Sequence, residues 1–253
     1  MALHQSYTGR HSEAVRRSSL VLQGLTFQPS GAVVAAATTS LPEVMGGDLN
    51  FDYRFAWLRD LSLTARSLWI AARPDEPKRL LDWVAQSAGV IGDEQVQIMY
   101  GVGGERDCSE HVLDHLGGFA DSTPVRAGNA AWTQKQHDVL GEVLDAAFLL
   151  RDHLHDLSDP TRQLLVTLAE RAAAQWGEPD AGMWESREPP RHYLSSKAMC
   201  WVALDRAVKL APLLRAGDAT RRWCDARDAV RAAVIERGWN ETAGAYTGAF
   251  DSD

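Results

Sequence analysis

The sequence predicts an all-α protein, a toroid of helices in two concentric layers or part of one. Three observations predict it. About seven segments carry apolar residues at three-to-four spacing, the pattern of helices with one buried face. Residues 198–204, Ala-Met-Cys-Trp-Val-Ala-Leu, are apolar all round and are expected to be enclosed by other helices rather than to lie on a surface. Almost no stretch alternates convincingly in the manner of a strand.

In chain order, residues 12–24 place Val15, Leu20 and Val21 on a short helix closed by Gly24. Residues 25–42 follow with Gly31 and a small-residue run at 32–39, which permits a strand and equally permits buried irregular chain. Over residues 58–72, Leu61, Thr64, Ala65, Leu68 and Trp69 share a helical face, and Pro74 stops the helix. Asp75 caps the next helix, with Pro77 in its first turn, Leu80, Leu81, Val84 and Ala88 on one face and Gly89 at its end. Residues 90–132 break the pattern with seven glycines and no sustained period. A stretch this long inside a helical chain is a functional excursion or disorder. Tyr100, Glu105, Arg106, Glu110, Phe119 and Arg126 favour an ordered, pocket-forming excursion.

Helices resume at residues 133–155, where Leu140, Val143, Leu144, Ala147, Leu150 and Leu154 form a stripe. Ser158 or Asp159 caps the following helix, with Pro160 in its first turn and Leu164, Leu165, Leu168, Ala172 and Trp176 inward. Residues 177–193 read as a loop, and Ser195 or Ser196 opens the helix that contains the all-apolar segment. Residues 220–237 are amphipathic, with Trp223, Ala226, Val230 and Val234 inward and Gly238 at the end. Residues 239–253 have turn and strand character.

A chain of 253 residues, 45% hydrophobic and 24% charged, can bury a large core. Its net charge of −8 argues against nucleic acid, whose backbone requires a basic face. No apolar run approaches the roughly 20 residues that span a bilayer, and the polar residues 1–17 contain no signal core. Three scattered cysteines, Cys108, Cys200 and Cys224, do not make a disulfide framework, so a reducing cytoplasm is the expected location.

Two stretches carry candidate chemistry. Residues 50–60, Asn-Phe-Asp-Tyr-Arg-Phe-Ala-Trp-Leu-Arg-Asp, place four aromatics, two arginines and two aspartates directly after the Gly46-Gly47 turn. Flat apolar faces beside fixed hydrogen-bonding groups suit a sugar ring, and the same composition equally suits a packed domain entrance with surface ion pairs. The second stretch, residues 180–197, sets Glu185 beside Trp184 in a loop punctuated by glycine and proline. A carboxyl against an indole is partly desolvated, which raises its pKa as a general acid for glycoside cleavage requires. A surface glutamate with Trp184 as a core anchor is the alternative. His111 and His115, with Glu110 and Asp114 nearby, have helical ligand spacing, but the glutamate that a zinc hydrolase helix sets beside its first histidine is missing. Two histidines on a short exposed helix explain them more simply. His153 and His155 suit a helix C-terminus. With no Gly-rich phosphate loop followed by lysine and no Gly-x-Ser-x-Gly elbow, neither cofactor nor metal is expected.

Taken together, the blocks resemble glycoside hydrolase family 15, the glucoamylase family that includes bacterial trehalases. Residues 50–60 resemble the signature that opens its catalytic domain, and residues 31–43 the segment before it. Gln97-Ile-Met-Tyr-Gly101, Pro124-Val-Arg-Ala-Gly-Asn129, Gln134-x-Gln136-x-Asp138, Gly182-Met-Trp-Glu185 and residues 195–206 are similar to later blocks in the same order. The resemblance runs from about Ser18 to the end and is nearest to the trehalase-like branch.

The resemblance implies an (α/α)6 toroid of which about seven of twelve helices are present. Residues 1–49 would form a lead-in segment, and residues 50–253 the N-terminal part of the catalytic domain. It casts Glu185 as general acid, Arg59 and Asp60 as hydrogen-bonding partners of the terminal glucose, Tyr53 and Trp57 as its pocket lining, and Trp184 as shaping the acid's surroundings. The implied partner is a small α-glucoside or glucan. Fungal glucoamylases carry a second acidic residue directly after the acid, where this chain has Ser186. The family inverts configuration, so a second carboxylate must activate water at roughly 6.5–9.5 Å from the acid. No matching block precedes Asp253, and the β-sandwich usual before the toroid is also missing. The chain is therefore expected to be a fragment, inactive by itself. The alternatives are a glycoside phosphorylase, which uses one acid and phosphate in place of activated water, and a non-catalytic sugar-binding fragment.

Overall fold

The periodic stretches fold as seven helices in a computed structural model that describes residues 7–71, 75–88, 96–154, 157–250 and 252. The helices are α1 (Ser12–Gly24), α2 (Leu58–Ala71), α3 (Asp75–Ala88), α4 (Asp138–Leu150), α5 (Asp159–Gln175), α6 (Leu194–Leu214) and α7 (Thr220–Gly238). Among the described residues strands are confined to two-residue pieces: β1 (Ala56–Trp57), β2 (Met99–Tyr100), β3 (His111–Val112), β4 (Arg126–Ala127), β5 (Trp239–Asn240) and β6 (Ala245–Tyr246). They pair antiparallel as β1–β2, β3–β4 and β5–β6. Pro74, Gly89 and His155, and the side chains of Asp75 and Pro77, lie outside the described residues. The chain divides into two units, Met1–Trp83 with Gln97–Thr133 and Val84–Val96 with Gln134–Asp253.

In the first unit α1 packs on α2. Residues 25–42 take the irregular option, bonded through isolated bridges such as Thr26 with Val33 and Thr39 with Asp52 while Ala32 and Val33 are buried. Residues 90–95 of the glycine-rich excursion lie outside the described residues; from residue 96 it is ordered around β2, whose Tyr100 and Met99 face Ala56 and Trp57 of β1. The Leu58 N–H donates to the Ile98 carbonyl at 2.9 Å, so this pairing also anchors the start of α2. The short helix expected around His111 is not formed. His111 stands opposite Ala127 in the β3–β4 ladder, which continues with the Leu113 N–H on the Val125 carbonyl. The chain turns at residues 114–115, where the Leu116 N–H donates to the Leu113 carbonyl at 3.0 Å, so the helical ligand spacing does not apply, and both histidines are exposed.

The second unit is built on α6, which packs against α4, α5 and α7. No residue between 196 and 208 is exposed, as the all-apolar segment requires. At Gly141 a Cβ would lie 2.2 Å from the Met199 carbonyl oxygen, so α4 approaches α6 more closely than any larger residue would permit. Arg206 ties the same helices, its Nε 2.7 Å from Asp145 Oδ1 and its guanidinium over the Phe148 ring. Trp223 is fully buried and donates its indole N–H to Glu170, joining α7 to α5. Ser158 caps α5 by accepting the Thr161 N–H, with Pro160 in the first turn. Three helix boundaries differ from expectation, one of them the end of α4 at Leu150, where the chain passes into a 3-10 turn over Arg151–His153 short of residue 155. The helix expected from residue 133 starts at Asp138, because residues 135 and 137 give their backbone groups to residues 180 and 181. α6 starts at Leu194, with Tyr193 as an N-cap that makes no side-chain bond.

Candidate active site

The residues singled out from the sequence fall into two groups, one in each unit. Tyr53, Trp57, Arg59 and Asp60 belong to the first. Tyr53 lies on an extended segment that bonds residues 36 and 38, and Trp57 is 2% exposed within β1. Their rings stand 6.2 Å apart, and Phe55 meets Trp57 edge-on at 6.5 Å. The chain then turns into α2 and presents Arg59 and Asp60 in its first turn, where the helix dipole favours a carboxylate. Arg59 Nε lies 4.0 Å from Asp60 Oδ2. Burial raises the Asp60 pKa, and the Arg59 guanidinium opposes that shift. Aromatic faces therefore sit next to one fixed donor and one fixed acceptor on consecutive residues.

Behind this group lies a polar knot that the sequence reading did not single out. Asp52 is fully buried. Arg54 Nε and Nη2 grip its two oxygens at 2.9 and 2.8 Å, and the Arg54 and Gly128 N–H groups add bonds at 3.1 Å each. Burial alone would raise its pKa, but these donors outweigh it and hold the carboxyl below its ordinary value. Asn129 donates to the Asp52 carbonyl, and Arg126 reaches Asn50 Oδ1 at 2.5 Å while pairing with Glu110 at 3.2 Å. The signals in the sequence were indirect: Asn50, Asp52, Arg54, Arg126, Gly128 and Asn129 sit in the blocks at 50–60 and 124–129, and Glu110 and Arg126 were among the charged residues that favoured an ordered excursion.

Glu185 and Trp184 belong to the second unit, in the loop between α5 and α6. The loop is rooted at Asp180, which is fully buried and exchanges two 2.9 Å backbone bonds with Arg191. Asp180 Oδ2 accepts the His137 N–H at 2.8 Å and the Ser196 hydroxyl at 2.7 Å. Beside it Lys197, also fully buried, donates to the Glu178 carbonyl. Burial lowers the pKa of both His137 and Lys197, with the Asp180 charge pulling each back up. Burial pushes the Cys200 thiol up to about 12, which removes it as a nucleophile.

From that root the chain makes a tight turn. Gly182 has φ 69°, and a Cβ there would lie 2.7 Å from the Tyr193 ring. The Glu185 N–H returns to the Gly182 carbonyl at 3.1 Å and the Ser186 N–H to the Ala181 carbonyl at 3.2 Å. Glu185 itself has φ 56°, a left-handed conformation that costs a residue with a side chain about 1–3 kcal/mol. The turn also settles the position of Trp184, which is 86% exposed. That exposure excludes the core-anchor reading. It also corrects the expectation that the indole desolvates the acid, because a ring standing this far into solvent covers little of its neighbour. What it offers instead is an open stacking face.

Among the described residues no cluster of three or more histidines, cysteines or acidic residues could hold a metal ion, and no helix is long and apolar enough to cross a membrane.

These features define an all-α protein that displays aromatic rings and carboxyl groups from separate loops. Residues 9–253 match the glycosyl hydrolases family 15, and the chain belongs to that family. It is 42% identical over 226 residues to a trehalase of Mycolicibacterium smegmatis, covering 88% of this chain and 34% of the relative. It is 36% identical to trehalase 1 of Sulfolobus acidocaldarius, covering 85% of this chain and 39% of the relative. The chain thus spans about a third of the length of these curated relatives. Among solved structures, a glucoamylase from Saccharomycopsis fibuligera has TM-score 0.65 at 16% identity over 99% of this chain and 56% of its own. A wild-type glycosidase has TM-score 0.68 at 17% identity, covering 96% of this chain and 60% of its own. At such identities the likeness concerns the fold, and it agrees with the helical (α/α)6 class.

Proposed function

We propose that the whole protein hydrolyses a terminal α-glucosidic bond of the trehalose or maltodextrin type, with inversion. The observation that carries this reading is Glu185, held in a left-handed turn next to an exposed indole in a chain of this family. Glu185 gives its proton to the leaving oxygen, which lowers the cost of expelling an alkoxide. Arg59 and Asp60 bind the hydroxyls of the terminal glucose, Tyr53 lines its pocket with the buried Trp57 ring packed behind it, and Trp184 stacks against the sugar. A second carboxylate activates water on the opposite face of the ring, as inversion demands. The three unpaired cysteines fit work in the reducing cytoplasm.

The test is a product assay on the whole protein with trehalose and with maltose, in the presence and absence of phosphate. Free glucose formed at the same rate in both buffers is expected. A sugar phosphate formed only with phosphate would replace hydrolysis by phosphorolysis, and no turnover of any α-glucoside would overturn the proposal.

A further inference from the structure

We propose that Gln134 is a positioning residue for Glu185: its side-chain amide locks the left-handed backbone on which the acid is carried. The inference rests on the reading of Glu185 as the acid and adds how that acid is aimed.

A glutamate at φ 56° relaxes toward an ordinary conformation unless its surroundings fix both flanking peptide planes. The two backbone bonds of the turn hold the planes on either side of Glu185 by their N–H edges alone, and leave the carbonyl edge of the 185–186 plane and the whole 186–187 plane to other partners. Gln134 Nε2 holds both, donating to the Glu185 carbonyl at 3.3 Å and to the Ser186 carbonyl at 3.2 Å. One amide group has two N–H donors at a fixed angle, so bonding successive carbonyls sets the orientation of two consecutive peptide planes. The amide is itself held the right way round, because Gln136 Nε2 donates to Gln134 Oε1 at 3.0 Å. Gln136 is 3% exposed, so this contact is sheltered from water.

The irregular run that carries Gln134 is fixed to the same loop at two more points. Ala181 donates to the Lys135 carbonyl at 3.0 Å, and the His137 N–H goes to Asp180, which is in turn bonded to Ser196 on α6. Gln134 is therefore the outermost of a series of bonds that begins in the helical core and ends at the acid. This arrangement also gives a reason for α4 to start at Asp138: a helix through residues 134–137 would withdraw these groups from the loop.

The experiment compares Gln134→Ala, Gln134→Glu and Glu185→Gln in the whole protein, by steady-state kinetics on an α-glucoside, urea unfolding and crystallography. Gln134→Ala is expected to lower kcat roughly ten- to a hundredfold, the scale of a small misplacement of a reacting group. KM should stay within about twofold and the urea midpoint should hardly move, a split that a general loss of folding would not give. Gln134→Glu keeps the side-chain size, loses the donors once ionised, and is expected to show the same loss at neutral pH. It decides the matter if the alanine variant does not fold. Unaltered kcat in the Gln134 variants, with Glu185→Gln inactive, would overturn the positioning role and leave the acid assignment standing. If Glu185→Gln is itself active, the acid reading fails separately, and the crystal structure decides for Gln134: a Glu185 φ still near 56° in the Gln134→Ala protein would overturn the lock.

Discussion

Residues 50–60 and residues 180–186 carry the two groups of candidate site residues, and the protein secures them by different means. In the first stretch the side chains are part of the packing. Trp57 and Asp52 are buried, and backbone pairing reaches it from residues 35–40 on one side and 98–100 on the other. In the second stretch only the root at residues 180–182 is buried. Beyond it Trp184 is 86% exposed, and Glu185 sits in a costly backbone conformation kept by a few polar bonds. A binding floor gains from rigidity that is shared among many contacts. An acid loop has to keep its carboxyl at a reactive surface, so it depends on a few directional bonds. Substitutions at the tip of the second loop should therefore affect turnover, while those at the buried Asp52 and Trp57 or at the Asp180 root should affect stability.

The largest stability effect expected from this contrast is at the root. Asp180→Ala strips a partner from the buried His137 N–H and Ser196 hydroxyl and removes the charge that most favours the charged form of the fully buried Lys197. A loss on the order of 3 kcal/mol is expected, measured as the urea midpoint at constant slope. A loss below about 1 kcal/mol would show that the loop is not anchored there.

Acidification should separate the two units next. His137 has a folded-state pKa below its unfolded value, so it contributes stability above the unfolded pKa of about 6.5 and loses it as pH falls through the folded pKa. Asp180, Lys197, Glu178 and Lys135 are the charged groups that act on it. Asp52 is lowered too, but its unfolded reference is about 3.9, so its contribution persists until pH falls below that value. Hydrogen exchange between pH 7 and pH 4 should therefore show α4 and α6 losing protection before the Asp52 knot. A His137→Gln protein should lose the step that begins near pH 6.5. Simultaneous loss in both units would remove the distinction.

The smallest effect on stability belongs to the loop tip. Trp184→Ala removes a ring that is already exposed, so unfolding free energy should change by no more than about 0.5 kcal/mol. Affinity for an α-glucoside should nevertheless weaken if the indole stacks on sugar. A large stability loss with unaltered KM would mean that the ring supports the fold.

Legibility from the sequence followed the range of the forces involved. α5 could be read to its ends because Ser158, Pro160 and the leucine stripe act within a few residues of one another. The β1–β2 pairing could not, since a two-residue strand is defined by a partner more than forty residues away. The start of α4 was misjudged because residues 134–137 have acceptable helical character and only the distant Asp180 and Ala181 draw their backbone away. The same holds at the site. Tyr53, Trp57, Arg59 and Asp60 became candidates for sugar binding through their resemblance to family blocks, and Glu185 first through its place beside Trp184 and then through the same resemblance, while spacing alone left residues 50–60 open to a structural reading. The outward position of Trp184 opposes the usual preference of tryptophan for burial and follows from the turn at Gly182 and Glu185. The Gln134 contacts join residues about fifty positions apart and could be seen only in the fold.

The central claim is that Glu185 protonates the leaving group. Glu185→Gln keeps the size and the backbone bonds of the side chain while removing its acidic proton. Turnover of trehalose and maltose by the whole protein, measured beside its urea midpoint, tests this directly. The expected result is a fall in kcat of at least about a hundredfold with KM and stability nearly unchanged. Near-normal turnover by the glutamine protein would contradict the account and move the acid to another residue.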